Sequence, residues 1–123
     1  MALSLALAGL MFAQAAQPAI TVEGAPDAND VGYRELVTQR PAATIVKIRA
    51  NNALNDDPAA QINLGTAMAR LGRRDAARDH YRVALSSRER YDLELADGRW
   101  MDSRAAARLA IAMLAKNQAL ALR

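Results

Sequence analysis

The sequence predicts a mainly α fold, on three observations. Ala is abundant while Gly and Pro are few, aromatic residues make up only 4% of the chain, and two stretches near its middle carry apolar side chains at helical spacing on either side of a short turn. Small side chains let helix backbones approach closely, and large core anchors are scarce. At 123 residues one folded unit is expected, with enough chain left for a modest core after loss of a short leader.

The first helix of the central pair starts at Asp57-Pro58, where Asp can cap free amides and Pro is tolerated at the first helical position. It is predicted over about 58–71, with Leu64, Met68 and Leu71 at i, i+4, i+7, Ala67 beside them, and Gly72 as a left-handed stop. The second is predicted over about 74–87, with Ala77, Tyr81 and Ala84 repeating the spacing. A connection this short forces the two helices antiparallel. Gly65, Ala77 and Ala84 allow close approach, and Tyr81 fills the larger space between the helices.

The segment NLGTAMARLGRRDAARDHYRVAL, residues 63–85, resembles a tetratricopeptide repeat at most of its signature positions: Leu64, Gly65, Met68, Gly72, Ala77, Tyr81 and Ala84. The departures are Gln61 and Arg74, where the family usually places aromatics. The resemblance covers residues 58–91 and implies a module of the protein-interaction class, specifically a small exported bacterial protein of this type. Residues 31–57, with Tyr33, Leu36, Pro41, Ile45, Val46 and Ile48, read as a degenerate preceding repeat with a shortened first helix. A lone repeat cannot bury both faces, so its flanks must cap it or the chain must associate with itself.

Past the pair, Tyr91-Asp92-Leu93-Glu94-Leu95 alternates apolar and acidic residues before Asp97-Gly98, which suggests a small β-hairpin over 91–102. A two-residue Asp-Gly loop would set Leu95 opposite Trp100, with Tyr91, Leu93, Leu95 and Trp100 on one side. The competing reading is an irregular loop. Asp102 or Ser103 then caps a final helix over 103–117, whose stripe is Ala106, Leu109, Ala110, Met113 and Leu114, with Arg104 and Arg108 facing water and fraying after Asn117.

At the other end, residues 1–15 read as an export signal, with an apolar run from Leu3 to Phe12 and an A-x-A site at Ala13-Gln14-Ala15. No Lys or Arg precedes the run, a departure that an upstream start would repair. The run is too short for a transmembrane anchor, so no integral membrane segment is expected after its removal. Residues 16–30 combine Pro, Gly, Asn and Asp and are expected to be a flexible lead-in. The implied location is periplasmic or secreted.

The formal charge of +3 arises from 16 basic and 13 acidic residues that are interspersed, and Asp75 and Asp79 interrupt the arginines of the central pair. That pattern favours solubility over nucleic-acid binding. With no cysteine and one histidine, His80, there is no ligand set for zinc, and His80 is read as a surface residue. Asp92, Glu94, Asp97 and Asp102 lack calcium-loop spacing, Ser86, Ser87 and Ser103 have no base near them, and Gly65 and Gly72 form no phosphate loop. Neither an enzyme nor a cofactor site is expected.

The remaining expectation is an adaptor for a peptide or protein, with a self-associating structural subunit of an envelope assembly as the alternative. The resemblance implies that partners lie on the side of the first helix facing away from the second. Ala59, Ile62, Asn63, Thr66 and Arg70 occupy that side. Ile62 offers apolar contact, Asn63 can donate to and accept from an extended backbone, and Arg70 can pair with a carboxylate. The competing reading is that the upstream segment or the last helix covers this face.

Overall fold

The computed structural model describes residues 19–24 and 30–121. The expected signal and residues 16–18 and 25–29 of the lead-in lie outside the described residues. In chain order the elements are β1 (Val22–Glu23), α1 (Tyr33–Val37), α2 (Pro41–Arg49), a 3-10 turn (Asn52–Leu54), α3 (Pro58–Arg70), α4 (Arg74–Ser86), β2 (Asp92–Leu95), β3 (Trp100–Asp102) and α5 (Ser103–Ala121). The fold is mainly α with one small antiparallel sheet, ordered β1-β2-β3.

Everything packs around α3, which meets α1, α2, α4, α5 and β1. Its residues from Pro58 to Met68 are all buried. Asp57 starts it as the sequence predicts, its Oδ2 accepting from the Ala60 amide at 3.0 Å, with Pro58 in the first turn. It ends in a Schellman motif, the Arg73 amide donating to Met68 O at 2.9 Å and the Gly72 amide to Ala69 O at 3.0 Å. The chain is thereby reversed into α4 within three residues.

The α3–α4 contact is tight at Gly65. A Cβ built there would lie 2.5 Å from Cε1 of Tyr81 and 3.0 Å from the carbonyl of Ala77, so no larger residue fits without parting the helices. Tyr81 is only 2% exposed, and Ala77 and Ala84 are fully buried on the same face of α4. The helix α5 packs on α4 and α3 through Ala106, Ala107, Ala110 and Leu114. It continues to Ala121, beyond the Asn117 at which fraying is expected. Arg104, expected in water, is half-buried and donates through Nη2 to Ser87 O at 3.3 Å, which ties the start of α5 to the end of α4.

The hairpin forms one residue out of the expected register. Its pairs are Asp92 with Asp102, Leu93 with Met101 and Glu94 with Trp100. The Gly98 amide donates to Leu95 O at 2.8 Å and the Leu95 amide to Arg99 O at 2.7 Å, so Ala96, Asp97 and Gly98 form a three-residue loop with a left-handed glycine. Because side chains alternate across a strand, the extra loop residue moves Trp100 away from Leu93 and Leu95 to the solvent face, where it is 62% exposed. Asp102 caps α5 through a 3.2 Å bond from the Ala105 amide and pairs with Arg90 at 2.7 Å.

The lead-in differs more sharply from expectation. Ile20, Thr21 and Val22 are buried, and Val22 and Glu23 pair with Leu95 and Glu94 to complete the sheet. Downstream, α1 and α2 are held together by Lys47, whose ammonium lies 2.5 Å from Glu35 and 2.8 Å from Asp30. That cation holds both carboxyls below their ordinary values of 4.5 and 3.8, and the two acids hold Lys47 above 10.5. Among the described residues no helix is long and apolar enough to cross a membrane.

Two predictions follow from this packing. Gly65→Leu and Tyr81→Ala should each lower stability by about 3 kcal/mol or more, the first by overpacking and the second by a cavity, as read by denaturant unfolding. The ion-pair cluster should act only within a pH window. Depressed carboxyls contribute above 4.5 and 3.8 and lose that contribution as pH falls through their folded values, whereas the raised Lys47 contributes below 10.5 and loses it as pH rises through its folded value. The melting temperature of Lys47→Met should therefore fall furthest below that of the parent in the window between, and the two should converge in acid and in strong alkali.

Candidate functional site

The face of α3 opposite α4 carries the residues that the tetratricopeptide resemblance assigns to a partner, and the structure gathers four of the five in its interior. Ala59, Ile62, Asn63 and Thr66 are all fully buried, and Arg70 is half-buried at the end of the helix. The expectation of an open groove is corrected: β1, α1 and α2 cover this face. Helical spacing brings these residues together, and the extended chain above them is the segment Ile20–Glu23.

The contacts are mostly between α3 side chains and main-chain atoms. Asn63 Oδ1 accepts from the Val22 amide at 3.0 Å, and its Nδ2 donates to Val22 O at 2.7 Å and to Val31 O at 2.8 Å. One carboxamide thus grips both polar groups of one residue, as a neighbouring strand would. Thr66 donates its hydroxyl hydrogen to Ile20 O. That hydrogen being committed, Tyr81 must be the donor in its 2.9 Å bond to Thr66 Oγ1, so a relay runs from Tyr81 through Thr66 to the strand. Burial, the largest cause, pushes the Tyr81 phenol up to about 12, which keeps it protonated as a donor.

The other edge of the segment belongs to the sheet. Ala96 donates its amide to Thr21 O at 3.0 Å, and Val22 and Glu23 lie opposite Leu95 and Glu94 in the antiparallel pairing. Ile20 and Val22 therefore direct backbone groups to α3, while Thr21 and Glu23 turn theirs to β2. The side chain of Val22 is fully buried, and Ile20 is 5% exposed. An extended backbone is held on both edges with its apolar side chains in the core.

Arg70 reaches a different target from its four neighbours, donating through Nη1 to Leu36 O at 2.6 Å, at the last turn of α1. Its Nε is buried without a hydrogen-bond partner, and among the described residues no carboxylate forms an ion pair with it. Burial accordingly lowers its pKa from the ordinary value, with Tyr81 opposing.

His80, expected at the surface, is half-buried and meets Gln61 through Nδ1 at 2.9 Å. Gln61 itself is buried, accepting from His80 through Oε1 and donating Nε2 to Asn55 O at 2.8 Å. Gln61, a departure from the repeat signature, is thus satisfied by polar bonds on both sides. Burial, then the charge of Arg49, lowers the His80 pKa and favours a neutral ring. On this geometry His80→Ala would remove the side-chain partner of the buried Gln61 Oε1. Nearby, Tyr91 donates to the same Asp57 that caps α3, and desolvation followed by that carboxylate raises the Tyr91 pKa.

Residues that the sequence reading missed are Ile20, Thr21 and Val22. Their signal was the short alternation Ile20-Thr21-Val22-Glu23 between Pro18 and Gly24, a period-two pattern inside a segment otherwise read for its turn formers. No protein family, curated protein or solved structure compared with this chain matches it.

The site's architecture gives a direct prediction. Asn63→Ala leaves the Val22 amide, Val22 O and Val31 O without their partner and should cost about 3 kcal/mol or more. Tyr81→Phe, which removes only the relay's donor, should cost about 1 kcal/mol. Thermal melting of both variants checks the ranking, and an Asn63→Ala protein as stable as the parent would contradict the bonding described.

Proposed function

We propose that this chain is a non-enzymatic, exported protein-binding module of the tetratricopeptide type, which takes an extended segment of a polypeptide against α3. The observation that carries this reading is the two-edged capture of an extended backbone by Asn63 and Thr66 on one side and β2 on the other. Such contacts read main chain more than side chain, which suits recognition of a peptide and supplies no chemistry for turnover. Export is supported by the apolar run Leu3–Phe12 and the small residues Ala13-Gln14-Ala15, and it implies a periplasmic or secreted partner. Self-association through an uncovered repeat face has less support, because α5 packs along α4 and α3 on the side where a following repeat would stack.

The test places a photoreactive amino acid at Ala96, an exposed residue whose amide bonds Thr21, and in a second protein at Val83, exposed on the outside of α4. Irradiation in an envelope fraction should crosslink one protein from Ala96 and not from Val83, at residues of an extended segment identified by mass spectrometry. Crosslinking from Val83 alone would place the partner surface elsewhere.

A further inference from the structure

Resting on that reading, we propose that Ile20–Glu23 is a resident, exchangeable ligand of its own chain. The bed between α3 and β2 is then a docking site for a foreign extended segment with β-branched apolar side chains two residues apart, and that segment displaces the resident one.

The bed specifies this chemistry. Its polar contacts go to main-chain atoms, namely the Val22 amide and the carbonyls of Ile20, Thr21 and Val22. Any extended residue offers those groups. Selectivity resides in the two positions whose side chains enter the core, those of Ile20 and Val22. A segment reading apolar, polar, apolar with branching at Cβ satisfies both demands, whereas charge at either apolar position is rejected by burial.

The resident segment is built to yield before the rest. The strand β1 has two residues and lies at an edge of the sheet, while the α3–α4–α5 contacts are made without it. Its release also leaves a connection in place, because Asn63 Nδ2 binds Val31 O as well as Val22 O. The start of α1 can remain on α3 after the strand has left. A short edge strand opens at lower free energy than a helical core whose own contacts do not include it.

The occupant is a foreign segment and not the strand of a second copy, for reasons of mass action. The resident is tethered, so it faces the bed at an effective concentration on the order of millimolar. An identical strand on a second copy makes the same contacts and lacks that advantage, so at micromolar protein the copies stay separate. Only a segment that makes more or better contacts prevails.

The test uses a fluorescently labelled peptide of residues 18–24, PAITVEG, titrated against the full chain and followed by polarisation. The parent should bind it weakly, Val22→Asp should bind it at least tenfold more tightly because its resident is expelled, and Val22→Asp with Asn63→Leu should return to weak binding. A peptide with Asp at both apolar positions should not bind any of the three. In parallel, hydrogen exchange on the parent should show the Val22 amide opening while the α3 amides stay protected. A folded Val22→Asp protein that ignores the peptide, or a Val22 amide that exchanges only with those of α3, overturns the proposal; should Val22→Asp fail to fold, the exchange result alone decides. Micromolar dimers that depend on Val22 would also overturn it in favour of a second copy. A partner crosslinked at Ala96 with a strand that never opens would end the exchange and leave a protein-binding role only at the exposed surface around Ala96.

Discussion

The Asn63 carboxamide is the interaction on which the arrangement of this small fold depends. A helix enclosed on all sides, as α3 is, can hold a polar side chain only where that side chain is fully hydrogen-bonded. Asn63 meets the requirement with three main-chain groups from two residues, Val22 and Val31. Those two residues flank the same connection, so one side chain fixes where the strand ends and where α1 begins. Thr66 adds a second point on Ile20, and Tyr81 links that point to the close α3–α4 contact at Gly65. Register in β1, a two-residue strand too short to specify it by pattern, follows from these side chains.

The same dependence explains which parts of the fold could be read from the sequence. The pair α3 and α4 carries its information locally: the Asp57-Pro58 start, the Gly72 stop and apolar residues at i, i+4, i+7 lie within one stretch of chain. The strand β1 carries none of this. Its sheet partner Leu95 and its clamp Asn63 lie far along the chain, and the surrounding Pro, Gly, Asn and Asp mask a four-residue alternation. Propensity favoured a loop, and tertiary contacts decided otherwise. The hairpin was visible as an element while its register was not, because Asp97-Gly98 suits both a two-residue loop and the three-residue loop adopted, and these differ only in which face Trp100 takes.

Site residues were legible as a face and not as an environment. Helical geometry is enough to set Ile62, Asn63, Thr66 and Arg70 on one side of α3. Whether that side meets solvent depends on segments whose placement the helix does not encode. His80 illustrates the same limit in reverse: flanked by Asp79 and Tyr81, it reads as one more polar residue on a charged helix, yet Gln61 draws it inward. The position at which the repeat family favours an aromatic is filled here by two polar side chains bonded to each other and to Asn55 O. Gln61 and His80 are satisfied there by hydrogen bonds, and the helix pair keeps its close approach at Gly65.

A face meant only to be buried would be cheaper to build from Leu, Val and Ala, as the opposite face of α3 largely is with Leu64, Ala67 and Met68. Placing Asn and Thr at full burial costs desolvation that their hydrogen bonds recover only if every partner is present. Nothing about covering a helix requires that arrangement, since Ile62 on the same face meets the need with hydrocarbon alone. Asn63 and Thr66 gain their value when the covering element is an unaccompanied extended backbone, whose amides and carbonyls would otherwise be buried without partners. Such a segment arrives with one edge for β2 and the other edge bare, and the two side chains answer the bare edge. The choice of residues on α3 therefore follows from the conformation of what lies on it: an apolar face would have accepted a helix, and this one accepts a strand.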